Sequence, residues 1–256
     1  MSASALAETP LVLFCLRRAD DALVLGHRLS QWCGHAPTME EDMAMANIGL
    51  DLIGQARSLY QYAAEREGGA RTEDDLAYLR DAPQYRNVLL VEQPNGDFAR
   101  TMMRQFLYSA SADPWWRAMM ASKDATLAAI AAKSEKESAY HLRHASEWII
   151  RLGDGTDESA RRIAEARDDL LPFVGELFEA DFDERELIDS GVAIDPASVR
   201  ETFDATVAEV FARAKLGDGA IGWSHSGGRS GRHTEHLGTM LAEMQHLQRA
   251  YPGTTW

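Results

Sequence analysis

The 256-residue sequence predicts an all-α fold. Apolar residues recur at three- and four-residue intervals through long stretches, no segment alternates apolar and polar residues long enough to build a sheet, and capping residues, glycines and prolines punctuate the chain where helices would begin and end. An apolar content of 45% is enough for a full core. With 40 acidic against 26 basic side chains, the formal charge of −14 would repel a phosphate backbone, so nucleic acid is not an expected partner. Charges interrupt every apolar run well short of a bilayer's thickness, and the N-terminus has no basic flank leading into an apolar segment. No membrane contact and a cytoplasmic location are expected.

Thr9 and Pro10 form an N-cap and first-turn pair for a first helix, whose apolar positions run from Leu13 to Trp32 before Gly34 to Pro37 ends it. Cys15 and Cys33 both fall within it. Eighteen positions apart, roughly 27 Å along a helix, they cannot bridge and are expected as buried fillers. Thr38 with Glu41 supplies a capping box for a second long helix, carrying Met43, Ala46, Ile48, Leu50, Ile53, Leu59 and Tyr62 inward until Gly68 and Gly69 stop it. A short helix from Thr72 precedes Pro83. After the Pro94-Asn95-Gly96 turn, Asp97 caps a third long helix, kinked at Pro114.

Asp124 caps a fourth, which Gly153 to Gly155 terminates. Thr156 opens a further helix kinked at Pro172, and Asp195-Pro196 opens one that runs to Gly217. The glycine-rich stretch from Gly217 to Gly231 carries Trp223, His225 and Arg229, with Arg232 just beyond, and reads as an ordered binding loop. A last helix spans Thr234 to Tyr251. Two long helices, a crossover and two more long helices is the order of a ferritin-like bundle. The expected organisation is one domain over residues 1–256, with a four-helix core at about 10–152 and additional C-terminal helices at about 156–251.

Such a bundle can house a di-metal site, with one Glu from each of two helices and Glu-x-x-His from each of the other two. Glu and His three apart share a helical face, so the spacing is a chemical requirement. The second helix has no histidine, since none occurs between His35 and His141, and the third has no glutamate, since none occurs between Glu92 and Glu135. In the fourth, Ser138 stands three residues before His141, although Glu137 still shares a face with His141. An oxygen-activating di-iron core is not supported. The rival is a self-sufficient metalloenzyme with its site on the last helix, where Glu243-Met244-Gln245-His246 lies near His233, Glu235 and His236. The bland alternative there is a solvated or partner-facing helix end.

At these residues the chain resembles, over nearly its whole length, the family of non-catalytic C subunits of bacterial phenylacetyl-CoA epoxidases. The resemblance is carried by Gln31-Trp32-Cys33-Gly34-His35-Ala36-Pro37, by Asn47 to Leu52 with Gly54 to Arg57, by Leu89 to Gly96, and by His233-Thr234-Glu235-His236-Leu237-Gly238 with Met240 to Gln245. It implies that a related A subunit holds the di-iron centre and epoxidises the aromatic ring of phenylacetyl-CoA. Oxygen and NADPH electrons, the latter through a separate reductase, complete that reaction. The C subunit is implied to pair with and support the A subunit in phenylacetate catabolism, without a cofactor of its own. Other subunits of the complex and the reductase are further implied partners.

Matched to the catalytic relative, His141 falls on a ligand histidine and Ser138 on the ligand glutamate, with the second-helix half near Asp51, Gly54 and Arg57. The resemblance therefore implies a degenerate metal site of Asp51, Gly54, Arg57, Glu137, Ser138 and His141, with Arg57 expected to pair with Asp51 or Glu137. It also implies contact with the CoA part of the substrate through Gln84, Tyr85, Arg86 and Asn87, and more weakly through Arg185, Glu186 and Leu187. Aromatic, cationic and amide groups suit a nucleotide tail. An ordinary polar helix start after Pro83 is the other reading.

Overall fold

Thr9 opens the first helix as expected: its hydroxyl accepts the Val12 amide, and Pro10 sits in the first turn where its missing N–H costs nothing. A computed structural model of the chain describes residues 9–69, 71–217 and 223–254. Helix α1 (Pro10–Ser30) turns through Gly34, at φ +80°, into α2 (Met39–Arg66). The two backbones nearly touch at a glycine pair. A Cβ on Gly26 would lie 3.1 Å from the Gly49 carbonyl oxygen, and one on Gly49 would lie 3.2 Å from the Gly26 carbonyl oxygen.

The crossover holds α3 (Glu73–Tyr78) and α4 (Leu89–Glu92). Asp97 caps α5 (Phe98–Met119), which continues through Pro114, and Asp124 caps α6 (Ala125–Gly153). Two helical hairpins joined by a crossover make the ferritin-like core. Beyond it follow α7 (Asp157–Leu170), α8 (Phe182–Ser190), α9 (Arg200–Arg213), α10 (Glu235–Met244) and α11 (His246–Ala250). The described residues contain no strand, and no helix among them is long and apolar enough to cross a membrane.

The additional helices cover one side of the core. α7 and α9 lie on α5 and α6, and α8 on α1, so α1 and α5 are buried on almost every side. By contrast, α2 and α6 bury single stripes.

Several local expectations are corrected. Pro172 ends α7 instead of kinking it, leaving short 3-10 turns at Leu171–Phe173 and Gly175–Phe178 before α8, which the sequence pattern did not reveal. The last helix breaks at Gln245. Cys33 lies beyond the end of α1 and is exposed, while Cys15 is buried as expected. On α2 the core face is Met45, Ile48, Leu52, Ala56 and Leu59, whereas Met43, Ala46 and Leu50 face out. Only half of the capping box forms: Thr38 caps the Glu41 amide, but the Glu41 carboxylate turns to His144 on α6.

Candidate functional site

The place where a ferritin-like bundle would hold metal is the α2–α6 contact, and three polar pairs close it. His141 Nε2 lies 3.0 Å from Asp51 Oδ2, Gln55 Nε2 donates to Glu137 Oε2 at 2.9 Å, and His144 Nε2 lies 2.9 Å from Glu41 Oε2. A carboxylate only accepts, so each histidine donates from Nε2. Lys133 supports Glu137 at 3.6 Å. His141, Ser138 and Gln55 are buried, whereas Asp51 and Glu137 sit at the edge where water reaches them. On α5, buried Gln105 donates to Ser109 at 2.9 Å.

Unpaired carboxylates in a dry core are costly. Here the buried positions carry an amide, a hydroxyl and an imidazole, and the carboxylates of Asp51 and Glu137 lie nearer the rim, each with a partner. The described residues gather no group of three or more His, Cys, Asp or Glu side chains that could hold a metal ion. This donor set does not fit a pair of irons.

Of the six residues expected for the degenerate site, Asp51, Glu137 and His141 meet in this contact, and Ser138 is buried beside His141 on the same face of α6. Gly54 lies beside it, with a Cβ there standing 3.7 Å from Lys133 Nζ. Arg57 does not take part. Its side chain is 68% exposed and reaches Glu73 at 3.5 Å, so the expected pairing with Asp51 or Glu137 is overturned. The residue that sequence reasoning missed is Gln55. Its signal was present: it lies four residues after Asp51 and so shares its face.

A second polar centre ties α1, the crossover and the C-terminal segment together. Asp20, fully buried, accepts from Tyr60, from Arg80 and, at 2.7 Å, from the Arg86 amide. Its neighbour Asp21 accepts from Arg229 Nη2 at 2.7 Å and the Val88 amide at 2.8 Å. Burial pushes the Asp21 carboxyl up, against the opposing pull of Arg229. Glu176 accepts the amides of Leu89, Gly227 and Arg229. The described part of the glycine-rich loop is thus ordered, and the anion seated on its amides is the chain's own carboxylate. Residues 218–222 of that loop lie outside the described residues. Gly228 and Gly231 are required by close approach: a Cβ on either would come 2.2 Å from a crossover carbonyl oxygen, that of Asn87 or Pro83 respectively.

Glu92 closes the other end, accepting from Asn87 Nδ2 at 2.9 Å, His233 Nδ1 at 2.8 Å and the Thr234 amide at 2.6 Å. His233 Nε2 meets the Tyr85 carbonyl at 3.0 Å. Both partners of this ring are acceptors, so the ring carries both protons. Burial pulls the His233 pKa down, but the hydrogen bond and charge of Glu92 outweigh it and hold the value above that of an ordinary histidine.

These contacts divide the residues expected to touch CoA. Tyr85 is fully buried, its hydroxyl donating to the Ala77 carbonyl and its ring under the Arg80 guanidinium. Asn87 is equally buried against Glu92, and Leu187 belongs to the core. The side chains of these three are thus enclosed in the fold. Gln84, Arg185 and Glu186 face solvent, and Arg86 is half-buried, with Nη1 on the Pro83 and Tyr85 carbonyls at 2.7 and 2.9 Å.

The rival metal reading loses its donors. His233 is committed to Glu92, and a turn at Gln245 interrupts the helix between Glu243 and His246.

Two comparisons with known proteins fit this picture. Residues 2–256 match a family described as phenylacetic acid catabolic protein. The chain is also 48% identical over 246 residues to the C subunit of the 1,2-phenylacetyl-CoA epoxidase of Escherichia coli (strain K12), covering 96% of this chain and 99% of that protein.

Proposed function

This chain belongs to the phenylacetic acid catabolic protein family, and from that premise we propose that it is a non-catalytic subunit of a phenylacetyl-CoA epoxidase, pairing with and supporting the di-iron A subunit. The observation that carries the reading is the α2–α6 contact. The bundle is retained, while Ser138 and Gln55 fill buried positions with groups that cannot neutralise and bridge two irons. In this reading the iron belongs to the A subunit and NADPH electrons reach it through a separate reductase. What this chain supplies is a rigid body for its partner to pack on.

Contact with the CoA part of the substrate is a narrower proposal. It rests on Arg86, Gln84, Arg185 and Glu186, the accessible members of the two stretches. The decisive experiment mixes purified chain with purified A subunit at micromolar concentration. Co-elution as one species is expected, with epoxidation by the reductase-supplied pair and none by this chain alone. Separate elution, or turnover by this chain alone, overturns the assignment.

A further inference from the structure

The four-helix core is sheathed unevenly. α7, α8 and α9 cover α1 and α5, whereas α2 packs chiefly against α1, α3 and α6, leaving its outward face open. On that face stand Met39, Met43 and Leu50, 73%, 60% and 67% exposed, with Ala46 and Asn47 between them. Positions 43, 47, 50 and 54 advance in steps of four, three and four, the spacing at which two helices lie side by side. From Met43 to Ala56 the only charged residue is Asp51, and Asp51 is committed to His141. In a chain that is 26% charged, a helix face open to water yet free of unspent charge has the composition of an interface centre, where methionine is enriched and charge depleted.

The α6 border of this face carries Lys133, which also meets Glu137 at 3.6 Å, and a basic and aromatic cluster at Tyr140 and Arg143. Lys133 stands beside Gly54, and the half-exposed Tyr140 ring lies 5.6 Å beneath the Arg143 guanidinium and 6.0 Å from the ring of His144, itself tied to α2 through Glu41. Behind the face, the three α2–α6 pairs hold it in place, so docking on it would need little further ordering.

Resting on the subunit role proposed above, the geometry points to this face of α2, bordered by Tyr140, Lys133 and Arg143, as the seat of one helix of the epoxidase's di-iron subunit. That helix carries an apolar stripe with acidic flanks. A second copy of this chain fits the seat poorly. Two-fold pairing would bring together two bodies of charge −14.

The test is a Met43→Glu, Leu50→Glu double variant, with helicity and melting checked first, because both side chains are exposed and the fold should tolerate them. Affinity for the purified di-iron subunit should fall about a hundredfold or more. Leu247→Glu, at an exposed apolar position on α11, should bind like the unaltered chain. If the double variant loses helicity, Ala46→Arg puts the same question with one substitution. Equal binding by these variants and the unaltered chain overturns the seat while leaving the subunit role standing. No binding by the unaltered chain overturns the subunit role and the seat with it. Self-association of the unaltered chain that the double variant abolishes makes a second copy the occupant, and overturns the inference.

Discussion

At the scale of single residues, α6 holds a small neutral group where a Glu-x-x-His helix would carry its glutamate. Ser138 is the clearest case, buried three residues before His141 on the same helical face. Ser138→Glu recreates a Glu-x-x-His, but α2 would still lack a histidine and α5 a glutamate. The variant should bind no stoichiometric iron and should lose about 1–3 kcal/mol, the cost of a buried carboxylate without a partner. Thermal melts and iron analysis with added Fe(II) check this, and a raised Tm with two irons per chain would contradict it. Arg86 poses a different question, since its amide serves the fold through Asp20 while its guanidinium rests on local carbonyls. Arg86→Ala keeps the amide. In the assembled epoxidase it should raise KM for the CoA ester several-fold with kcat little changed, because the nucleotide tail is remote from the ring being oxidised. Steady-state kinetics decide it, and an unchanged KM in an intact complex would leave the stretch a structural role alone.

At the scale of elements, the interactions that hold the C-terminal segment are ionic and buried, and one of them titrates. The Glu92 partner holds the His233 pKa above that of an ordinary histidine. Its stabilisation is therefore complete below the ordinary histidine pKa and is lost as pH rises through the raised value. Amide exchange over residues 223–245 should accelerate beyond the intrinsic chemical rate as pH rises above the ordinary histidine range, and His233→Gln should flatten that dependence. Exchange that shows no such excess would argue against the charged latch.

The helix caps at Thr9, Asp97 and Asp124 were legible in the sequence because capping is a contact over two or three residues. The inward face of α2 was not. Its sequence is apolar on both sides, so periodicity could not choose between Met43 with Leu50 and Met45 with Leu52. The pairing of Asp21 with Arg229 was equally hidden, since 208 residues separate the two and only the folded chain brings them together. Asp20 nevertheless sits four residues after Leu16 and three before Leu23, a placement that marks a buried, partnered acid.

At the scale of the whole molecule, three buried acids from α1, α4 and the turn before α8 give the chain an order of completion. Asp21, Glu92 and Glu176 take their partners from residues 227–234, so a chain ending at residue 217 leaves three buried carboxylates short of partners. Losing a partner from a buried charge costs several kcal/mol, and a domain's whole margin is about 5–15 kcal/mol. A chain truncated after Gly217 should therefore be digested by low concentrations of protease that leave the full chain intact, and comparable resistance of the two would contradict this. During synthesis, α1 leaves the ribosome 208 residues before the arginine that Asp21 needs. A chain released before Arg229 is joined leaves Asp21 without its guanidinium, so this part of the interior closes only after residues 227–234 have emerged.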